Sequence, residues 1–403
     1  MIRLALRNSV RHRFRSATTL AAVVVGVVAL VLVGGFVRDI FIQLGEAIIH
    51  SQTGHLQIVR SGFLGSGSRS PEKYLLSDLE GLRTAASAMP ETAEVMARLS
   101  FTGLLNNGRA DIAIIGQGIE SARETRLGSY LTILRGRTLA DADRYGALVG
   151  EGVAQALQLA PGDHVVLLAN TPDGALNTVD LDVVGVFRSF SKEFDARAVR
   201  IPLATAQDLV ATSGANTLVV ALRGTSETAA AAESLRRRLA GMGLEVRTWR
   251  ELDDFYDKTV QLYRRQFDVL HVVILVMVLL SVVNTVNMSV FERTPEFGTM
   301  RALGNTGRRV FLLIVVECAL VGLAGAALGA LLAGGLAALL SAIGIPMPPP
   351  PSSAMAYTAR IRLVPSVFAG AMAVGLAATL LASLMPAAIA SRMPIAEALR
   401  RAI

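Results

Sequence analysis

Four predominantly apolar runs punctuate the chain, at about Ala17–Val37, Phe267–Val290, Val310–Ile343 and Pro365–Ala390. Each exceeds the ~20 residues a helix needs to cross a hydrocarbon core, so each predicts a membrane span. Between the first two runs the pattern changes to short apolar stretches separated by turn residues, which predicts a soluble α/β domain over residues 51–250. Leu76–Met89 reads as a helix. Glu94–Leu105 and Asp111–Gly118 read as strands around an Asn106-Asn107-Gly108 turn. Val149–Leu159 reads as a short helical segment, Val165–Leu168 and Val179–Phe187 as strands, and Ser61–Ser68 as a loop. Asn216–Leu222, Thr228–Met242 and Leu244–Thr248 predict a strand–helix–strand unit. The expected fold class is an α-helical membrane protein with four transmembrane helices. An α/β extracytoplasmic domain of two subdomains, one built from the early and late pieces, sits between helices 1 and 2.

Helical periodicity continues past the apolar runs. Phe41, Leu44 and Ile48 extend the first one across residues 17–50. Tyr256, Val260, Tyr263, Phe267, Leu270, Ile274 and Met277 keep a four–three spacing through residues 251–290, which is the repeat of a helical seam. Two such extensions predict a stalk that carries motion between the membrane and the soluble domain; the alternative is that each packs on its own domain. Residues 1–16 place Ile2, Leu6, Val10 and Phe14 beside Arg3, Arg7, Arg11 and Arg15, the pattern of a helix at the membrane interface. The third span, residues 310–343, is ~50 Å long as a straight helix and must tilt, bend near Gly334-Gly335 or protrude. Gly325 and Gly329 stand four apart, as close helix–helix contact requires. A proline-rich connection (344–364), a fourth span (365–390) and a basic tail (391–403) complete the chain.

Charge fixes the orientation. A 52% hydrophobic content is too high for an ordinary soluble protein, and the net charge of +7 raises the question of nucleic acid. The arginines, however, cluster at the membrane ends, before the first span, between the second and third, and after the fourth. By the positive-inside rule all three groups are cytoplasmic, so both termini are too, and residues 51–250 lie outside. The single cysteine, Cys318, falls within the third span and excludes a disulfide framework. Val33-Gly34-Gly35-Phe36 offers no small-x-small cleavage site, so the first span is expected to remain as an anchor.

Between the second and third spans, residues 291–309 carry the strongest local helix signals. Thr294 suits an N-cap, Pro295 the first helical position, Glu296 the positive end of the helix dipole, and Gly304 the stop. Phe297, Met300 and Leu303 are expected to project as apolar knobs, with Arg293 and Arg301 beside them. A helix resting on lipid headgroups and a helix inserted in a partner's groove both fit this pattern. The run NTVNMSVFERTPEFGTMRALG (Asn284 to Gly304), followed by a glycine-rich span containing Glu317, resembles the core of the FtsX-like permease family. That family includes the membrane subunits of MacB-type and LolC/E-type ABC transporters. GEGVAQALQLAPGDHVVLL…DLDVVGVF resembles a recurrent part of the family's extracytoplasmic domain. The resemblance implies that Glu292, Arg293, Thr294, Pro295, Glu296, Phe297, Gly298, Met300, Arg301, Leu303 and Gly304 couple to a cytoplasmic ABC ATPase dimer. It also implies a second permease subunit, in a homo- or heterodimer, in a bacterial inner membrane.

No Walker A sequence exists here, because none of Lys73, Lys192 and Lys258 follows a glycine; ATP and Mg²⁺ are expected on the partner ATPase, with no cofactor in this chain. His50 and His55 lack a third ligand at zinc spacing, so no metal is expected. No serine stands in a nucleophile-elbow context, so the chain is expected to be non-catalytic. Polar residues inside spans are costly and informative. Ser281, Asn284 and Asn287 form a patch suited to helix adhesion. Glu317, roughly 12 Å into the third span, would be satisfied by Asn284, Asn287, a partner subunit or headgroup water. The resemblance and layout imply a mechanotransmission permease that extracts lipoprotein or lipid from the outer leaflet, with a periplasmic protein or lipoprotein as a further expected partner. A MacB-like efflux or secretion pump and an FtsX-like signalling protein acting on a periplasmic hydrolase are the alternatives.

Overall fold

The structure is a computed structural model that describes residues 13–67, 74–127, 131–348, 357–395 and 398. The predicted stripe at residues 2–10 and most of the basic tail lie outside the described residues. The chain divides into two units. One comprises residues 42–258 and 347–357, the other residues up to 41, 259–346 and 358 onward. The boundary falls within two continuous helices, α1 (Arg13–Ile48) and α9 (Asp254–Glu292). The described part of α1 runs from Arg13 into the first span, and the predicted interfacial segment before it lies outside the described residues.

The inserted unit is built on one ten-stranded sheet. Its strands are β1 (Leu56–Arg60), β2 (Thr92–Asn106), β3 (Asp111–Ile119), β4 (Thr132–Gly136), β5 (Gly146–Gly150), β6 (His164–Asn170), β7 (Leu176–Arg188), β8 (Ala198–Pro202), β9 (Thr217–Leu222) and β10 (Leu244–Thr248). The order is β10-β1-β9-β2-β3-β8-β5-β7-β4, with β6 pairing β2 and β7. Among the described residues seven helices decorate it: α2 (Leu79–Ser87), α3 (Ser121–Leu127), α4 (Glu151–Leu157), α5 (Lys192–Asp195), α6 (Leu203–Val210), α7 (Thr228–Arg238) and α8 (Trp249–Leu252). The β2–β3 hairpin closes where expected. Asn107 Oδ1 accepts from the amides of Arg109 and Ala110 at 3.0 and 2.9 Å, and Gly108 takes the left-handed φ of 82°.

The expected division into two subdomains holds for the cores but not for the sheet. One core gathers Leu56, Ile58, Leu82, Val95, Leu218, Leu235 and Val246 from the early and late pieces. Another gathers Leu99, Phe101, Val149, Leu167, Val183 and Ile201 from the middle. Strand β2 belongs to both: Thr92–Arg98 pair with β9, and Gly103–Asn106 pair with β6. Fifteen residues of continuous strand therefore fuse the two halves into one layer. Two local expectations also change. Gly146–Gly150 is a fully buried strand, so the segment begun at Val149 turns helical only at Glu151. Phe63–Gly67 forms a π-helical turn rather than a loop.

The other unit consists of helices. With α1 and α9 it contains α10 (Thr294–Ala302), α11 (Gly307–Ile343) and α12 (Pro365–Arg392). Four of the five helices are long and apolar enough to span a membrane. Between α11 and α12 lie the short strands β11 (Ile345–Met347) and β12 (Tyr357–Ala359). Small residues let the helices touch. A Cβ built on Gly325 would lie 3.0 Å from Val23, one on Gly329 2.9 Å from Val27, and one on Gly26 2.4 Å from Val278. Gly375 likewise faces Val27, and Gly322 faces Thr379. Val23, Val27, Val282, Val286 and Ala326 fill the space these contacts enclose.

The α9 seam changes register partway down. Tyr256 and Val260 are buried, and Tyr263 and Phe267 stack with ring centroids 6.4 Å apart. Leu270 and Met277, however, are exposed. From Ile274 the covered line instead runs through Val278, Val282, Val286 and Val290, every fourth residue. A row spaced by four inclines to the helix axis and leaves the four–three seam, so the helix packs at an angle rather than as a continued coiled coil.

Candidate functional site

The polar segment between α9 and α11 belongs to the helical unit. Its helix, α10, begins one residue earlier than the capping pattern suggests, at Thr294 rather than Pro295. Arg293 is the N-cap residue without a side-chain cap, Pro295 stands in the first turn, and the Thr294 hydroxyl donates to the Val290 carbonyl at 3.1 Å. The C-terminus closes as a Schellman motif. Gly304, at φ 92°, donates its amide to the Arg301 carbonyl, and Asn305 donates to the Met300 carbonyl, each at 3.1 Å. A backbone closed this tightly at its C-terminus forms a rigid handle.

An ion pair fixes that handle to the bundle. Arg293 Nη1 donates to Glu317 Oε2 at 2.5 Å and Nη2 to Oε1 at 3.3 Å. Only 8% and 11% of the two side chains are exposed. Arg293 Nε also donates to Glu296 at 3.2 Å, and the guanidinium lies 5.2 Å from the Phe297 ring centroid. Glu317 of α11 is thus met by Arg293, not by the polar patch of α9. Ser281 and Asn284 are exposed, and Asn287 is half-buried. The carboxylate lies close enough to the span's end for an arginine at the α9–α10 corner to reach it.

Burial reverses the expected presentation of α10. Phe297 is 2% exposed and belongs to the apolar core of the bundle, with Met300 packed against it. Gly298 and Thr294 are buried as well. Neither arginine is held out toward a partner, because Arg301 donates to the Met393 carbonyl beyond α12. Leu303 alone of the three predicted knobs projects, with 80% of its surface exposed. Glu292, Glu296 and Thr299 are exposed with it. Glu292, Glu296, Thr299 and Leu303 recur at helical spacing, so the exposed face of α10 itself is acidic and apolar.

A second set of polar residues, absent from the sequence reading, lies in the inserted domain where α1 ends. After Ile48 the helix widens into a π turn, Ile49–Thr53. Two buried arginines take up its carbonyls: Arg98 Nη1 donates to Gln52, and Arg200 Nη2 to Ser51 at 3.0 Å. Arg98 is also paired through Nε and Nη2 with the buried carboxylate of Glu124. Burial opposes ionisation of Glu124, but Arg98 and Arg200 override it and hold its carboxyl below the usual range. Burial brings Arg200 down to about 10, which leaves it charged at neutral pH. Leu44 and Ile48 are buried, Gly45 sits against the Trp249 ring, and Tyr256 packs edge-on to Trp249 at 4.6 Å. Long polar residues in separate strands gave no periodic signal; only their burial reveals them.

Among the described residues no group of three His, Cys, Asp or Glu side chains could hold a metal ion.

Comparison with known proteins covers both units. Residues 16–238 match the family model described as MacB-like periplasmic core domain, and residues 269–395 match that described as FtsX-like permease C-terminal. An uncharacterized ABC transporter permease of Methanocaldococcus jannaschii is 21% identical, with 85% of each chain covered. The macrolide export ATP-binding/permease protein MacB of Sodalis glossinidius is 27% identical over 85% of this chain and 53% of its own length. The lipoprotein-releasing system transmembrane protein LolE of Haemophilus influenzae is 23% identical over 63% of this chain and 64% of its own. Among solved structures, the periplasmic region of MacB from Actinobacillus actinomycetemcomitans aligns with 53% of this chain and 95% of its own, at 16% identity and a TM-score of 0.37.

Proposed function

The chain belongs to the FtsX-like permeases with a MacB-like periplasmic core domain and is an ABC transporter permease; from that premise we propose that it is the membrane subunit of a mechanotransmission transporter drawing lipoprotein or lipid from the outer leaflet of the inner membrane. In this reading the chain is the non-catalytic transmembrane subunit, and ATP with Mg²⁺ binds on a cytoplasmic ATPase dimer. Two permease subunits, identical or different, complete the complex, with the termini and α10 on the cytoplasmic side.

The observation that carries the reading is the way α10 is held. The Arg293–Glu317 pair and the buried Phe297 make the corner one body with α9 and α11. Glu296, Thr299 and Leu303 remain turned outward for the ATPase to grip. A push on α10 is then delivered to α9 and α11 together, and α9 continues into the periplasmic domain as one helix. Within the chain, α1 touches α11 and α12 where glycines admit valines, which favours sliding helices over a solute path threaded between them. Cargo therefore engages the periplasmic domain or the outer leaflet.

The test is purification of the detergent-extracted chain from its native membrane, followed by addition of ATP and Mg²⁺. Co-purification of an ABC ATPase, with ATP-dependent release of a lipoprotein or lipid, is the expected result. An ATPase that arrives with a small-molecule or peptide cargo would make the chain an export pump, and one that arrives with a cell-wall hydrolase a signalling subunit. Either outcome overturns the lipid assignment.

A further inference from the structure

The three arginine clusters on the cytoplasmic side leave a second basic group unexplained. Arg38 and Asp39 lie near the outer end of α1, ~32 Å of helix beyond Ala17, which is about the thickness of the hydrocarbon core. Asp39 is 1% exposed. Its Oδ2 accepts from the Arg360 amide, and its Oδ1 accepts from Arg362 Nε, both at 2.8 Å. The chain entering α12 comes close enough to do this because α1 carries a glycine at the crossing. A Cβ on Gly35 would lie 2.7 Å from the Arg362 carbonyl. The Gly35 carbonyl in turn accepts from the Arg362 amide at 3.2 Å.

The same level on α9 follows from the Gly26–Val278 contact between the two helices. Asp39 lies thirteen residues beyond Gly26 and Arg265 thirteen before Val278, each ~20 Å of helix toward the outside. Arg264 and Arg265 therefore stand level with Arg38, Arg360 and Arg362, and all five are exposed. Asp39 is spent on Arg362. Asp268, the next acidic residue along α9, makes no ion pair with the α9 arginines among the described residues. Arg362 is the organised member. With Nε committed to a buried carboxylate, its side chain is fixed while half of it, 51%, stays exposed.

Arginines in excess of carboxylates at a membrane boundary, one of them pre-oriented by its ion pair with Asp39, suit a phosphodiester, because a guanidinium matches phosphate geometry and costs little more order once held. We propose that Arg38, Arg360 and Arg362 form a site for the phosphate headgroup of a lipid in the outer leaflet, with Arg264 and Arg265 extending its field. The site rests on the membrane orientation alone, so its failure would leave the transporter assignment standing.

The test uses the full chain with Cys318→Ala, labelled at Leu363→Cys, in nanodiscs of phosphate-free digalactosyldiacylglycerol. Phosphatidylglycerol with a nitroxide near its headgroup is titrated in, and quenching of the label is read. Arg38→Gln with Arg360→Gln removes two side chains that make no ion pair among the described residues, so the fold should survive; a label at Leu303→Cys reports whether it does. Each arginine near a surface contributes about fivefold to attraction of an anionic lipid, so half-quenching at Leu363 should need at least about tenfold more lipid. Arg362→Gln should add to the loss, and Arg362→Lys should not restore it. Unchanged quenching in the double variant would overturn the site. Displacement of the lipid by millimolar inorganic phosphate would also overturn it, in favour of a soluble anion.

Discussion

Removing the carboxylate of Glu317 should loosen α10 from the bundle, and the size of the effect can be worked from the pair. Arg293 and Glu317 meet at 2.5 and 3.3 Å with about a tenth of each side chain exposed. At an effective dielectric constant of about 20, charges about 4 Å apart attract by about 4 kcal/mol. Leaving one member of a buried pair alone typically costs about 3–5 kcal/mol. Glu296 still reaches Arg293 Nε at 3.2 Å, but 47% of its side chain is exposed, so it offsets only part of the loss. Glu317→Leu should therefore destabilise the helical unit by about 3 kcal/mol, and Arg293→Met by a similar amount. The double variant should recover most of the loss, because no buried charge remains and Phe297 keeps an apolar neighbour. The assay is a double-mutant cycle in mixed micelles, titrated with denaturing detergent and followed by helical circular dichroism. A coupling energy of about 2–4 kcal/mol is expected. Additive single effects, or a Glu317→Leu cost below about 0.5 kcal/mol, would refute the claim that this pair anchors α10.

Two further outcomes are expected in the periplasmic domain, both readable from Trp249, the single tryptophan. Glu124→Gln should strand Arg98 and Arg200 around the end of α1 at a cost of about 3 kcal/mol. That corresponds to about 6–12 °C in the thermal midpoint of a unit this size, and a shift under about 2 °C would count against the arginine grip. His55 supplies the pH dependence. Its Nδ1 accepts the Leu222 amide at 3.1 Å, its Nε2 meets Thr225 Oγ1 at 3.2 Å, and that hydroxyl donates to Glu46. Burial, reinforced by His50, brings His55 down to about 4. Unfolded, it titrates near 6.5, so between those values the unfolded chain binds a proton that the folded one refuses. Stability should be full above that window and fall as pH drops through it, by at most about 3 kcal/mol. His55→Gln should flatten the profile; an unchanged slope would remove His55 as its source.

The helices were legible because length and apolar content suffice to define them, and the corner because Pro295 and Gly304 mark a helix start and stop by backbone chemistry alone. What stayed hidden depends on which helix crosses which. Phe297 reads equally as a knob for a partner or as core, since periodicity says that a face is apolar and not what covers it. Glu317 announces a need for a partner without naming one; Arg293, twenty-four positions earlier, becomes available only once α9 and α11 are folded back on each other. The Arg98–Glu124–Arg200 cluster is less legible still. Its members come from two strands and a short helix, and each alone looks like an ordinary surface charge. β2 concealed the continuity of the sheet, because a strand of this length reads as one member of a hairpin until its other edge is seen.

The outward face of α10, not its aromatic or arginine side chains, is expected to meet the ATPase. A photo-reactive residue at Leu303 or Thr299, irradiated in native membranes, tests this without removing any internal contact. Leu331, 74% exposed on α11, serves as the lipid-facing control. An adduct with an ABC ATPase is expected from Leu303 and Thr299, strengthened or weakened by nucleotide, and none from Leu331. Adducts with lipid alone from both α10 positions, while the ATPase still co-purifies, would contradict it.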